Sequence, residues 1–199
     1  MTIKICGITC QEDADAAIAG GATAIGFNFF AGSPRYIAPE TAARIRSAGV
    51  RRVGVFVNES RTRIAEIAGR AALDVAQLHG DESPAEYPEL LPVWKAARVD
   101  GSFDFDRYRG NPAEALLLDG PAAQLYGGSG KTFDWRRAAR CRNRIIIAGG
   151  LDASNVALAV ELAHPWGVDA CSRIESAPGR KDHKKMMEFL QAARTALGV

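Results

Sequence analysis

Eight short apolar runs punctuate the chain, at 3–8, 24–30, 52–58, 75–79, 93–99, 115–119, 144–148 and 167–174. VGVFV, ALLLD and RIIIAGG are apolar throughout rather than alternating. That pattern predicts strands covered on both faces, hence a parallel sheet with helices packed outside. Between the runs the apolar positions change to helical spacing. In 60–69, Ile64, Ile67 and Ala68 share one face, while Arg61, Arg63 and Glu66 lie off it. Helix starts are signalled by Pro39 with Glu40, by Ser83-Pro84 with Glu86, and by 152–155.

About eight strand–helix units of roughly 25 residues predict an α/β fold, a closed (β/α)8 TIM barrel, ahead of an open doubly wound sheet. With ~250 residues typical of that fold, a single barrel domain over 1–199 requires short loops. Such barrels carry their chemistry at the C-terminal ends of strands and bind phosphate after strands 7 and 8. By that rule the residues to inspect are Cys6 after strand 1 and Arg35 in AGSPRYI after strand 2. Strand 4 ends in QLHG, strand 6 in LLLDG, strand 7 in AGG, and strand 8 runs into CSRIES. A thiol, a guanidinium, an imidazole and a carboxylate therefore share one rim.

Composition narrows the function classes. With 47% hydrophobic and 24% charged residues, the chain is of ordinary soluble globular type. A net charge of +2 gives no electrostatic case for nucleic acid or an anionic membrane. The basic cluster at 180–185, interrupted by Asp182, reads as a solvated helix face. The first residues lack a basic-then-apolar leader, and no apolar run reaches the ~18 residues that span a bilayer. Four irregularly spaced cysteines form neither a disulfide framework nor a CxxC metal pair. A reduced, cytoplasmic setting is expected.

Asp119 follows three leucines. A carboxyl group taken out of water there is favoured in its protonated form and could serve as a general acid; the alternative is a solvated Asp-Gly turn. Cys6 is either the partner base or a small packed hydrophobe. Cys10, Cys141 and Cys171 are read as structural thiols. YGGSGKTFDW is not a Walker A loop, because the first required glycine would fall on Leu125; it reads as a glycine-rich active-site loop, with Lys131 facing ligand or solvent. In IAGGLDAS, Gly149 and Gly150 allow close backbone approach, and a helix start near Asp152 or Ser154 adds free N–H groups, so phosphate is favoured over a plain turn.

Taken together, KICGIT, GFNFFAGSPRYI, VGVFVN, QLHGDE, LLLDG, GGSGKTFDW, AGGL and PGRKDH resemble the phosphoribosylanthranilate isomerases of tryptophan biosynthesis. The resemblance runs from residue 3 to the last helix. It implies an aldose–ketose isomerase, an intramolecular oxidoreductase. Its Amadori rearrangement takes N-(5-phosphoribosyl)anthranilate to 1-(2-carboxyphenylamino)-1-deoxyribulose 5-phosphate, with no metal or other cofactor. It implies Cys6 as general base, Asp119 as general acid and Arg35 as the group that binds the anthranilate carboxylate. Gln77 and His79 are expected to line the pocket, and Ser172 and Arg173 to join Gly149 and Gly150 at the phosphate. The expected partner is a small phosphorylated aminosugar, with the chain a monomer or homodimer. One departure stands out: Arg173 occupies a position where the family commonly has glycine. A positive φ there would strain the loop, whereas a negative φ would keep the backbone N–H and add a cation. Two other phosphosugar barrels compete: a metal-dependent epimerase needs more His/Asp ligands than three histidines provide, and the histidine-pathway isomerase usually has aspartate at the Cys6 position. A binding protein without turnover is the non-enzyme alternative.

Overall fold

The computed structural model describes residues 1–120 and 132–199. Eight parallel strands close a barrel in the order β1 to β8. They are β1 (Thr2–Cys6), β2 (Ala24–Asn28), β3 (Arg51–Phe56), β4 (Val75–Leu78), β5 (Val93–Arg98), β6 (Ala115–Asp119), β7 (Ile145–Ile147) and β8 (Gly167–Ala170). At the closing seam β1 pairs with β8, placing Lys4 opposite Asp169 and Ile5 opposite Ala170. Closure decides for the barrel over the open sheet.

Around it lie α1 (Gln11–Ala19), α2 (Pro39–Arg44), α3 (Arg61–Ala71), α4 (Val156–Ala163) and α5 (His183–Leu197). The Ser60 hydroxyl caps α3 by accepting the Arg63 N–H at 3.2 Å, and Ile64, Ile67 and Ala68 are buried as predicted. Asp182 caps α5 by accepting the Lys185 N–H at 3.1 Å, and His183, Lys184 and Lys185 are exposed on that helix. The basic run is nevertheless not one solvated face: Arg180–Lys181 form a strand and Lys181 is buried. Among the described residues, no helix is long and apolar enough to cross a membrane.

The expected strand–helix alternation fails in the middle of the chain. Ser83 and Glu86 do form a capping box, but the helix they start is a single 3-10 turn, Pro84–Glu86. Pro88 follows Tyr87 and biases it to extended backbone, observed at ψ 140°, which ends the turn. Between β5 and β6 the chain makes another 3-10 segment, Phe105–Tyr108, and a third, Trp135–Arg140, precedes β7. The run at 167–174 is also shorter than expected as a strand. Cys171, at φ −140° and ψ −88°, leaves the extended conformation and opens the 3-10 turn Ser172–Ile174. A small hairpin of β9 (Glu175–Ala177) and β10 (Arg180–Lys181) then folds back before α5.

Inside the barrel, Ala24, Val53, Val75, Trp94, Ala115, Leu117 and Ile146 form one apolar cluster, separate from the larger one between strands and helices. Trp94 is fully buried, donates from Nε1 to Glu114 Oε2 at 2.8 Å, and meets Trp166 edge-on at 5.9 Å. Because strand side chains alternate faces, Lys4 and Cys6 of β1 point the same way, as do Leu117 and Asp119 of β6. The apolar plug thus gives way to polar groups toward the strands' C-terminal ends.

One buried cation ties the shell to the barrel. Arg52 donates to the carbonyls of Ala71 at 2.9 Å, Ile45 at 2.6 Å and Ala42 at 2.7 Å, at the C-terminal ends of α2 and α3. Its guanidinium also stacks 4.7 Å from the centre of the Phe27 ring. Arg52→Met fills similar space but leaves these carbonyls unpaired, so we expect a loss of about 2–4 kcal/mol. A urea midpoint equal to that of the parent protein would mean that the three bonds contribute nothing net.

Candidate active site

All nine residues singled out from the sequence line one cleft at the C-terminal mouth of the barrel: Cys6, Arg35, Gln77, His79, Asp119, Gly149, Gly150, Ser172 and Arg173. Asp169 and Cys171 line it as well. Lys131 and its glycine-rich loop lie outside the described residues.

Asp119 is the last residue of β6 and is 6% exposed, so it is no solvated turn. Its Oδ2 lies 3.4 Å from His79 Nε2. On the far side of that ring, Gln77 Nε2 lies 3.1 Å from His79 Nδ1. With the Gln77 amide nitrogen donating, Nδ1 is the acceptor and a neutral ring carries its proton on Nε2, toward the carboxylate. Gly149, at φ +79°, lets β7 close in: a Cβ there would lie 2.3 Å from Gly120 N and 2.6 Å from Asp119 Oδ1. No other residue type fits without displacing the carboxyl group.

Cys6 ends β1 and is buried with its sulfur on the cleft. A hydrogen bond from the neighbouring Cys171 thiol, with help from the Lys4 and Lys181 ammonium groups, holds Cys6 well below the usual thiol range despite burial. Cys171 is pushed the opposite way as the member of the pair that keeps its proton. Behind Cys6, Lys4 Nζ bonds Asp169 Oδ2 at 2.8 Å in a buried ion pair whose acidic member lines the cleft. Burial pushes the Asp169 carboxyl up to about 7 against the pull of Lys4. Its other oxygen, Oδ1, is buried with no hydrogen-bond partner among the described residues.

Arg35 is held in place by Glu175, with Nε at 3.0 Å and Nη2 at 2.8 Å from the carboxylate oxygens. Lys181 Nζ reaches the same carboxylate at 2.9 Å. The trio carries two positive charges and one negative, which suits an anionic ligand, and Nη1 of Arg35 stays outside the fork.

After β7, the Asp152 carboxylate accepts the Ser154 N–H at 2.9 Å, and Asn155 Nδ2 donates to the Gly150 carbonyl at 2.8 Å. This local turn delays α4, which starts at Val156 with Asn155 as its cap rather than near Asp152. Arg173 is not among the residues with positive φ; it sits within the turn Ser172–Ile174 and replaces glycine without strain. Its Nη1 bonds Asp152 Oδ2 at 2.6 Å and joins the loops after β7 and β8.

The sequence reading missed Lys4, Asp169, Glu175 and Lys181, and took Cys171 for a structural thiol. Lys4 and Asp169 had a signal: each is a charged residue within a strand buried along its whole length. Glu175 and Lys181 had none, because the fold of the hairpin brings them to the rim. Among the described residues, no three His, Cys, Asp or Glu side chains are grouped to hold a metal.

A family model described as N-(5'phosphoribosyl)anthranilate (PRA) isomerase matches residues 3–192. The chain is 70% identical over 198 residues to the N-(5'-phosphoribosyl)anthranilate isomerase of Solibacter usitatus (strain Ellin6076), covering 100% of both. It superposes on the phosphoribosyl anthranilate isomerase of Thermus thermophilus with a TM-score of 0.90 at 37% identity, covering 98% of this chain and 99% of that one. A phosphoribosyl anthranilate isomerase in complex with reduced 1-(o-carboxyphenylamino)-1-deoxyribulose 5-phosphate is similar with a TM-score of 0.85 at 36% identity, over 98% and 99% of the two chains.

Proposed function

Because this chain belongs to the N-(5'-phosphoribosyl)anthranilate isomerase family, we propose that Cys6 and Asp119 are the base and acid of its Amadori rearrangement. The observation that carries this reading is their convergence on one cleft, a thiol favoured as thiolate at the end of β1 and a buried carboxyl group at the end of β6. The aminoribose ring must first open. Asp119 gives a proton to the ring oxygen, the C1–O bond breaks, and the anilino nitrogen takes up the charge as a protonated imine. That imine withdraws electrons from C2, whose proton the Cys6 thiolate removes. The resulting enolamine tautomerises to the 2-ketone of 1-(2-carboxyphenylamino)-1-deoxyribulose 5-phosphate.

The remaining residues hold the two ends of the substrate. Arg35, fixed by Glu175, receives the anthranilate carboxylate. The backbone at Gly149 and Gly150, together with Ser172 and Arg173, receives the phosphate in the loops where this fold binds it. Asp152 offsets part of the Arg173 charge, so Arg173 acts chiefly by joining the two loops. Gln77 and His79 orient the Asp119 carboxyl group. The pull-down of charge onto groups already in place needs no cofactor.

Turnover is tested by generating phosphoribosylanthranilate from anthranilate and phosphoribosyl pyrophosphate and following the loss of its fluorescence. We expect turnover that EDTA does not change. Folded protein that binds the reduced product but does not turn over would favour the binding-only alternative. In the same assay Gly149→Ala is expected to lower kcat/KM at least about 10-fold, because the added methyl group displaces a general acid. A parent-like rate would remove the close approach of β7 from the account.

A further inference from the structure

We propose that Cys6 and Cys171 form a redox modification site, in which a hydroperoxide converts the two thiols to a disulfide across the β1–β8 seam. The inference starts from register. Lys4 faces Asp169 across that seam and their side chains meet at 2.8 Å on the inner face. One position beyond the last pair, Ile5 with Ala170, stand Cys6 at the end of β1 and Cys171 just past β8. Neighbouring strands lie about 4.8 Å apart, inside the window of about 4.4–6.8 Å between Cα atoms that a disulfide requires.

Cys171 Sγ lies against the end of β1, whereas Cys6 Sγ sits on the β2 side, 2.9 Å from a Cβ built on Gly26, so the Cys6 side chain must rotate about χ1 for the sulfurs to bond. A Cβ built on Gly7, the residue after Cys6, would lie 3.2 Å from Cys171 Sγ. The two thiols act on each other, Cys6 being favoured as thiolate while Cys171 keeps its proton. Both cysteines line the cleft that admits ligand, the route by which a molecule the size of hydrogen peroxide would reach them. Lys181 Nζ, 3.9 Å from Cys171 Sγ, favours the second thiolate when its turn comes.

The chemistry balances in two steps. The Cys6 thiolate attacks one peroxide oxygen, the O–O bond breaks, and the sulfur becomes a sulfenic acid as hydroxide leaves and is protonated to water. Cys171 then attacks that sulfur, the S–O bond breaks, and a second water leaves with the Cys171 proton. Two thiols are oxidised by two electrons in total, and the peroxide is reduced to two waters. Loss of turnover on cross-linking rests on the proposed role of Cys6 as base, whereas the cross-link itself does not.

The test exposes the intact protein to hydrogen peroxide and maps its peptides by mass spectrometry before and after dithiothreitol, with turnover measured in parallel. We expect a peptide pair joined through Cys6 and Cys171 and lighter by two hydrogens, with fragmentation excluding Cys10. Turnover should fall at least about 10²-fold and recover with dithiothreitol. In Cys171→Ser, scored against its own untreated rate, dimedone should trap the sulfenic acid on Cys6. Absence of the cross-link in the parent protein, or pairing of Cys6 with Cys10 instead, would overturn the proposal. A Cys6–Cys171 cross-link with unchanged turnover would uphold the site and overturn the role of Cys6 as base.

Discussion

Replacing Cys6 by serine is expected to lower kcat about 10²–10⁴-fold with little change in KM. The substitution is close to isosteric and keeps a partner for Cys171, so ground-state binding should survive. What it removes is the anion. Cys171, Lys4 and Lys181 hold the Cys6 thiol well below the usual thiol range, whereas a serine hydroxyl in the same place keeps its proton at neutral pH. The sign of the pH dependence follows. A base works only when deprotonated, so the rate should fall as pH drops through the Cys6 titration, on a limb lying below the ordinary thiol value of about 8.5. Removing a neighbouring cation, as in Lys181→Met, should move that limb to higher pH. Steady-state rates across pH, with binding of the reduced product measured alongside, check both statements. A serine variant at parent-like rate would take the base role from Cys6.

The parts of this site legible in the sequence are those held by local chain chemistry. Asp119 stood out because a carboxylate ended a run of leucines, and Cys6 because a glycine closed its strand. Strand positions were legible because parallel strands are apolar on both faces. The middle helices were misread because helical spacing and a capping box at Ser83 outlast only one turn when Pro88 restricts the residue before it. Glu175 and Lys181 could not be found, since they reach Arg35 only through a hairpin placed by the closed barrel. Lys4 and Asp169 were visible as misfits in buried strands, but their pairing belongs to the register of β1 on β8. The Arg173 question turned on backbone φ, which no residue type specifies by itself.

Asp119→Asn should be as damaging as the loss of Cys6, again about 10²–10⁴-fold in kcat, for a different step. An asparagine side chain keeps the shape and can still accept from His79 Nε2, so the contact at 3.4 Å survives. It has no proton acidic enough to help the ring oxygen leave, and opening the ring becomes the slow event. His79, 3.4 Å away, could substitute in part, and His79→Asn should cost less than Asp119→Asn. Because ring opening and C2 deprotonation follow one another, the double variant Cys6→Ser/Asp119→Asn should be no more than about tenfold slower than the slower single variant. Losses that multiply would mean that both groups act in one transition state, and the two-step assignment would fall. Unfolding midpoints for the three variants near that of the parent would assign the losses to chemistry and not to a damaged barrel.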